Sequence, residues 1–124
     1  MPLSIETLIS RNLREVFGER DAARRHRAIA ELYLPDCIFA DAHGEYRGHA
    51  ELEKAVVALQ ARFPNFMFSE TGVPQVAGAA GRLTWSFGPP GAAARSTGMD
   101  VAIVRDGRIA ALYAFLDPPP SEAR

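Results

Sequence analysis

Apolar residues recur at helical spacing through the first half of the chain and at strand spacing through the second. Ile5, Leu8, Ile9, Leu13, Val16 and Phe17 form a helical stripe over residues 4–17. Ser4 is placed to cap that helix and Gly18 to stop it. A second helix is predicted from Asp21 through Ile29, Leu32 and Tyr33 to Leu34, where Pro35 ends it. Residues 37–41 then read as a short strand, and Ala42 to Glu45 as a turn. A third helix fits 50–62, with Leu52, Val56, Leu59 and Phe63 on one face and Pro64 as terminator.

Beyond Pro64 the period drops to two. Residues 66–71 are strand-like until Gly72 and Pro74 interrupt them, and a short strand at Val76 and Ala77 is weakly marked. Residues 82–87 alternate polar and apolar, as a half-buried strand does. Gly88-Pro89-Pro90-Gly91 breaks the pattern, and the loop continues through Ala94. Residues 96–105 and 108–116 form the clearest hairpin, joined by the two-residue turn Asp106-Gly107. The tail, 118–124, opens on three prolines and reads as a loose extension. Helices first and strands afterwards predict an α+β fold, one domain over 1–124, with three N-terminal helices packed in a curved, mostly antiparallel sheet. Such a sheet leaves a cone whose mouth can hold a small apolar ligand.

Composition narrows the partners. At 124 residues the chain is long enough for one core and too short for two. A net charge of −1, from 14 basic and 15 acidic residues, gives no electrostatic case for nucleic acid or an anionic membrane. The cluster Arg24-Arg25-His26-Arg27 is flanked by Asp21 and Glu31 and reads as a solvated helix face. The single cysteine, Cys37, excludes an internal disulfide and sits in an apolar run as an inert core thiol. No apolar stretch is long enough to span a bilayer and the N-terminus has no signal-peptide pattern, so the expected compartment is the cytoplasm.

Two aspartates change the picture. Asp41 closes the run Cys37-Ile38-Phe39-Ala40, and Asp100 interrupts Met99-Asp100-Val101-Ala102-Ile103-Val104. A carboxylate drawn into an apolar interior is costly unless it is hydrogen-bonded, paired or protonated, which makes both residues candidates for acid/base work. The plainer account of Asp41 is a strand-end cap on the following turn. Alternation sets Asp100 with Ala102 and Val104, and Met99 with Val101 and Ile103, so neither face solvates it comfortably. His43 and His49 invite a metal reading with Asp41, but no third or fourth ligand is positioned by motif and capping or surface roles are plainer. His43 can instead orient Asp41 or shuttle a proton to it. Trp85 and Phe87 share one strand face, suited to core or to a pocket wall.

The segment Leu32-Tyr33-Leu34-Pro35-Asp36-Cys37-Ile38-Phe39-Ala40-Asp41-Ala42-His43-Gly44 resembles the helix-to-strand passage of the SnoaL-like branch of the NTF2-like superfamily. Tyr46-Arg47-Gly48 before the third helix and Asp106-Gly107-Arg108-Ile109 before the last strand resemble it too, and the likeness runs from about residue 5 to 117. It implies a cone of curved sheet and three helices, commonly paired as a homodimer through the outer sheet face. It also implies relatives of ketosteroid isomerases and polyketide cyclases. By that resemblance Asp41 falls where ketosteroid isomerases keep a general-base aspartate. Asp100 falls where they keep a protonated aspartic acid that hydrogen-bonds the developing oxyanion. An acid/base aspartate in polyketide cyclases again points to Asp100.

The family pattern also places a tyrosine on the first helix as oxyanion donor, and this chain has Phe17 there. Of Tyr33, Tyr46 and Tyr113, only Tyr113 on the last strand is expected to reach a central cavity. Phe17, Tyr33, Trp85 and Phe115 are the expected pocket wall. Two functions follow as expectations. One is cofactor-independent acid/base chemistry, of isomerase, cyclase or dehydratase type, on a small hydrophobic carbonyl compound, with Asp41, Asp100, His43 and Tyr113 as the candidate groups. The other is a non-catalytic, dimeric small-ligand-binding or accessory protein.

Overall fold

The computed structural model describes residues 2–118, so the proline-led tail beyond 118 lies outside the described residues. Helix α1 (Ile5–Asn12) starts where the Ser4 hydroxyl accepts the Thr7 amide at 3.1 Å. It runs on as a π-helical turn, Leu13–Phe17, closed by a Gly18 amide to Leu13 carbonyl bond of 2.9 Å. The wider turn keeps Leu13, Val16 and Phe17 all buried, a local irregularity of the kind that accompanies functional sites. Helix α2 (Ala22–Leu32) is capped by Asp21, whose carboxylate accepts the Arg24 amide at 2.9 Å.

Helix α2 ends earlier than the apolar pattern predicts. Pro35 biases Leu34 away from the helical region, and the chain is already extended at Tyr33. Strand β1 therefore covers Tyr33–Asp41 rather than 37–41 alone. A tight turn at Ala42 and His43 leads into β2 (Gly44–Arg47), and α3 (Gly48–Arg62) follows at once. The remaining strands are β3 (Met67–Glu70), β4 (Gln75–Ala77), β5 (Ala80–Gly88), β6 (Ser96–Arg105) and β7 (Arg108–Leu116). The β6–β7 hairpin has the predicted limits. Asp106 and Gly107 both take positive φ, 52° and 77°, as a type I′ turn requires.

The seven strands form one mixed sheet in the order β2-β1-β7-β6-β5-β3, with β4 sharing the β3 edge of β5. Every pairing is antiparallel except β1 on β7. The fold is thus α+β, with three helices on one face of a curved sheet. Leu8, Ile9, Leu13, Ile29, Leu32, Leu52, Val56, Leu83, Ile109 and Leu112 are all but completely buried between the layers. Burying each such side chain contributes roughly 1.5–3 kcal/mol.

The basic cluster on α2 is not uniformly solvated. Arg25 falls on the Ala28–Ile29–Leu32 side of the helix and is buried. It pairs with Glu53 of α3 and donates to the Glu19 carbonyl at 2.8 Å. Charge pairing overrides the polar reading of that position. His49, near the start of α3, sets Nε2 3.0 Å from the carbonyls of both Tyr33 and Leu34, so it ties α3 to β1.

Candidate functional site

Strand register decides which residues meet inside the cone. Leu83 pairs with Asp100, Asp100 with Ala114, and Ala102 with Leu112, so these side chains share the concave face. Phe39 pairs with Leu112 and Tyr46 with Phe39, which adds β1 and β2 to that face. Continuing the β1–β7 register one step sets Asp41 beside Ala114. Asp41 and Asp100 therefore flank Ala114 from opposite sides, two strands or about 10 Å of backbone apart. The small alanine leaves open the space between them.

That space belongs to a cavity of about 330 Å³. Its wall is a run of touching rings. Tyr46 stacks on Phe39 at 5.7 Å, Phe39 meets Phe17 at 5.2 Å, and Phe17 meets Phe68 at 6.3 Å. Phe68 then meets Trp85 edge-on at 5.3 Å. Leu13, Ala55, Leu59, Phe63 and Phe87 complete an apolar lining. Asp41, Ala42 and His43 of the β1–β2 turn form one edge of the mouth, and Lys54, Ala58 and Arg62 of α3 another.

Asp100 lies at the buried end, 4% exposed. Trp85 Nε1 donates to its Oδ1 at 3.0 Å, the one hydrogen bond the carboxyl makes among the described residues. Burial pushes its pKa up to about 7, against a smaller lowering by the indole N–H. The indole reaches Asp100 because its register partner is Gly98. A Cβ on Gly98 would stand 2.5 Å from the indole Cζ2 and from the Phe115 carbonyl oxygen. Only glycine lets the ring lie across β6 at that point.

Asp41 has a different setting. It is half-buried at the end of β1, and its Oδ1 accepts the His43 amide at 2.8 Å and the Gly44 amide at 3.2 Å. It is the turn cap that the plainer reading describes, and it also lines the cavity mouth. His43 stands beside it, exposed.

Phe17 and Trp85 line the cavity, whereas Tyr33, Tyr113 and Phe115 do not. Tyr33 is fully buried behind the wall, with its hydroxyl donating to Asn12 Oδ1 at 2.6 Å. Burial, and secondarily the Asp100 and Cys37 charges, pushes its phenol well above the ordinary value. Tyr113 and Phe115 pair with Val101 and Met99 on the convex face and are 36% and 58% exposed. Ala114 and Leu116 take the inward positions instead. The tyrosine that does reach the cavity is Tyr46. Its outward neighbours Glu45 and Arg47 carry the period-two signal that aims it inward. Lys54, Arg62 and Ser96 also line the cavity; Lys54 and Arg62 lie four residues either side of Ala58, a spacing legible as one helix edge.

These features define an NTF2-like cone with an internal cavity. A SnoaL-like domain model matches residues 11–112, and the chain belongs to the SnoaL-like family. Among solved structures it is similar to a proposed isomerase of the SnoaL-like family from Agrobacterium tumefaciens. That pair shares 24% identity at a TM-score of 0.84, over 90% of this chain and 96% of that one. A proposed polyketide cyclase from Sinorhizobium meliloti aligns at TM-score 0.69 and 16% identity, over 87% and 93% of the two chains. A proposed ketosteroid isomerase from Kribbella flavida aligns at 0.68 and 15%, over 93% and 82%. No curated protein matches the sequence. At these identities the structural likeness shows the fold, and function has to be argued from the site. No helix among the described residues is long and apolar enough to cross a membrane.

Proposed function

We propose that the cavity binds a small hydrophobic carbonyl compound and moves a proton at the carbon next to the carbonyl, without a cofactor. The observation that carries this reading is Asp100: a carboxyl at the buried end of a cavity walled largely by aromatic and aliphatic side chains, with a single hydrogen bond from Trp85. A group that titrates near neutrality is suited to acid/base catalysis, because both of its forms are populated at the working pH. In the proposed step the Asp41 carboxylate takes the proton from carbon, and protonated Asp100 hydrogen-bonds the carbonyl oxygen as negative charge builds on it. Return of the proton to a different carbon completes an isomerisation. The apolar wall excludes water and strengthens the Asp100 hydrogen bond. Tyr46, whose hydroxyl has no hydrogen-bond partner among the described residues, is the cavity phenol proposed to serve the same oxygen in place of the tyrosine absent at Phe17. Pairing of two copies through the convex face, which exposes Ile103, Tyr113 and Phe115, belongs to the same proposal.

The second reading is a protein that binds such a ligand without chemistry. The observation favouring it is that Asp41 Oδ1 is already occupied by two turn amides. Exchange of deuterium into the α-carbon of 2-tetralone, followed by NMR, separates the two. Catalysis predicts acceleration over buffer that falls at least about a hundredfold in Asp100→Asn. Saturable binding of the ketone with no acceleration supports the second reading.

A further inference from the structure

The rim of the cavity is charged asymmetrically. Lys54, Ala58 and Arg62 follow each other at four-residue steps along α3 and all line the cavity. Their backbone positions are therefore about 12 Å apart along one helix edge, with a small side chain between them, a gap the long Lys and Arg side chains can close from either end. Neither forms a salt bridge among the described residues. The acids nearest Lys54 in sequence are otherwise engaged: Glu51 accepts the Arg47 amide at 2.7 Å, and Glu53 pairs with Arg25. Arg62 is held over the Phe63 ring at 5.5 Å, which keeps its guanidinium beside the aromatic wall. The facing edge carries Asp41 and His43, and Asp41 is tied into its turn. Below both edges the lining is mostly aromatic and aliphatic, down to Asp100.

An apolar slot with two unpaired cations on one lip matches a ligand that is apolar at one end and anionic at the other. We propose that the natural ligand is an amphipathic acid: a flat hydrophobic body that fills the cavity, and a carboxylate or similar anion that rests against Lys54 and Arg62. This rests on the reading of the cavity as a ligand site and narrows it from neutral compounds to acids. The anion lies along α3, away from Asp41, so the body enters with its reactive end toward Asp100.

Trp85 is the only tryptophan and lines the cavity, so quenching of its emission reports occupancy. Two probes of one shape separate the ideas: 1-anilinonaphthalene-8-sulfonate carries an anion, and N-phenyl-1-naphthylamine lacks it. The sulfonate is expected to bind about fivefold to tenfold more tightly at low salt, the sum of two exposed charge contacts. That advantage is expected to vanish in Lys54→Gln/Arg62→Gln and to shrink at 0.5 M salt. Both positions are exposed, and circular dichroism checks that the double variant keeps its fold. Equal affinity for the two probes, or an advantage that survives the double substitution, overturns the acid preference and leaves the cavity a ligand site. Failure of both probes to quench Trp85 overturns the ligand site as well.

Discussion

Asp41 and Asp100 are the same residue type on the same face of the same sheet, and their surroundings give them opposite characters. Asp41 ends a strand at the cavity mouth, half-buried, with one oxygen held by two backbone amides. Asp100 sits mid-strand at the buried end, with one indole N–H for company. The first is a carboxylate whose bonds come from its own turn. The second depends on the packing of the whole cone, because β6 must place it under the helices and Gly98 must let the indole through. Local hydrogen bonds stabilise a carboxylate cheaply, while burial without them favours its protonated form. One fold thereby gives two copies of one side chain a turn-bonded setting and a buried one.

The largest effect that would break this contrast is in stability against pH. Native Asp100 keeps its proton to about pH 7, whereas a free aspartic acid releases it near 3.8. Between those values the native state binds more protons than the unfolded chain. The contribution is fully present below about pH 4 and is lost as pH rises through 7, on the order of 4 kcal/mol. Denaturant titrations at pH 4.5 and 8 should show that fall, and Asp100→Asn should flatten it. A fall that persists in the variant assigns it to other groups.

The packing that defines the buried end is tested next. Gly98→Ala forces a methyl group against the indole and the Phe115 carbonyl, and overpacking of this kind costs about 1–3 kcal/mol. Urea unfolding should show the loss, and Trp85 emission should shift red as the ring leaves its site. Unchanged emission would mean the glycine is not what seats the indole. The smallest effect belongs to the rim. Asp41→Ala removes the acceptor of two turn amides and should cost about 1 kcal/mol in urea unfolding. A loss as large as that of a core truncation would place Asp41 in the core rather than on the rim.

Much of this was legible in the chain, and the limits have physical causes. The β6–β7 hairpin was readable because its register is set by a two-residue turn and by alternation, both local. The helical segments were readable from their period, apart from Tyr33 and Leu34, where the proline's steric effect on its predecessors outweighs an apolar helical pattern. Asp100 was marked as misplaced because a charge interrupts an apolar run. What strand facing does to single residues was harder. Tyr113 and Phe115 look inward by hydrophobicity, yet they lie one step out of phase with Asp100 across the hairpin. Tyr46 shows its inward phase only through the flanking Glu45 and Arg47, a weak signal in a strand of four residues. The parallel pairing of β1 with β7 joins residues more than seventy positions apart, and no local signal encodes it. The π-helical turn that keeps Phe17 on the wall is likewise invisible in a pattern that any α-helix would share.

Burial in the cone is expected to let Asp100 hold its proton to near neutrality. Label the aspartate carboxyl carbons with ¹³C and follow their chemical shifts from pH 3 to 9, with Asp100→Asn to assign the resonance. The Asp100 carbon is expected to titrate with a midpoint of about 7. A midpoint near 4, the value of an ordinary exposed aspartate, would contradict it.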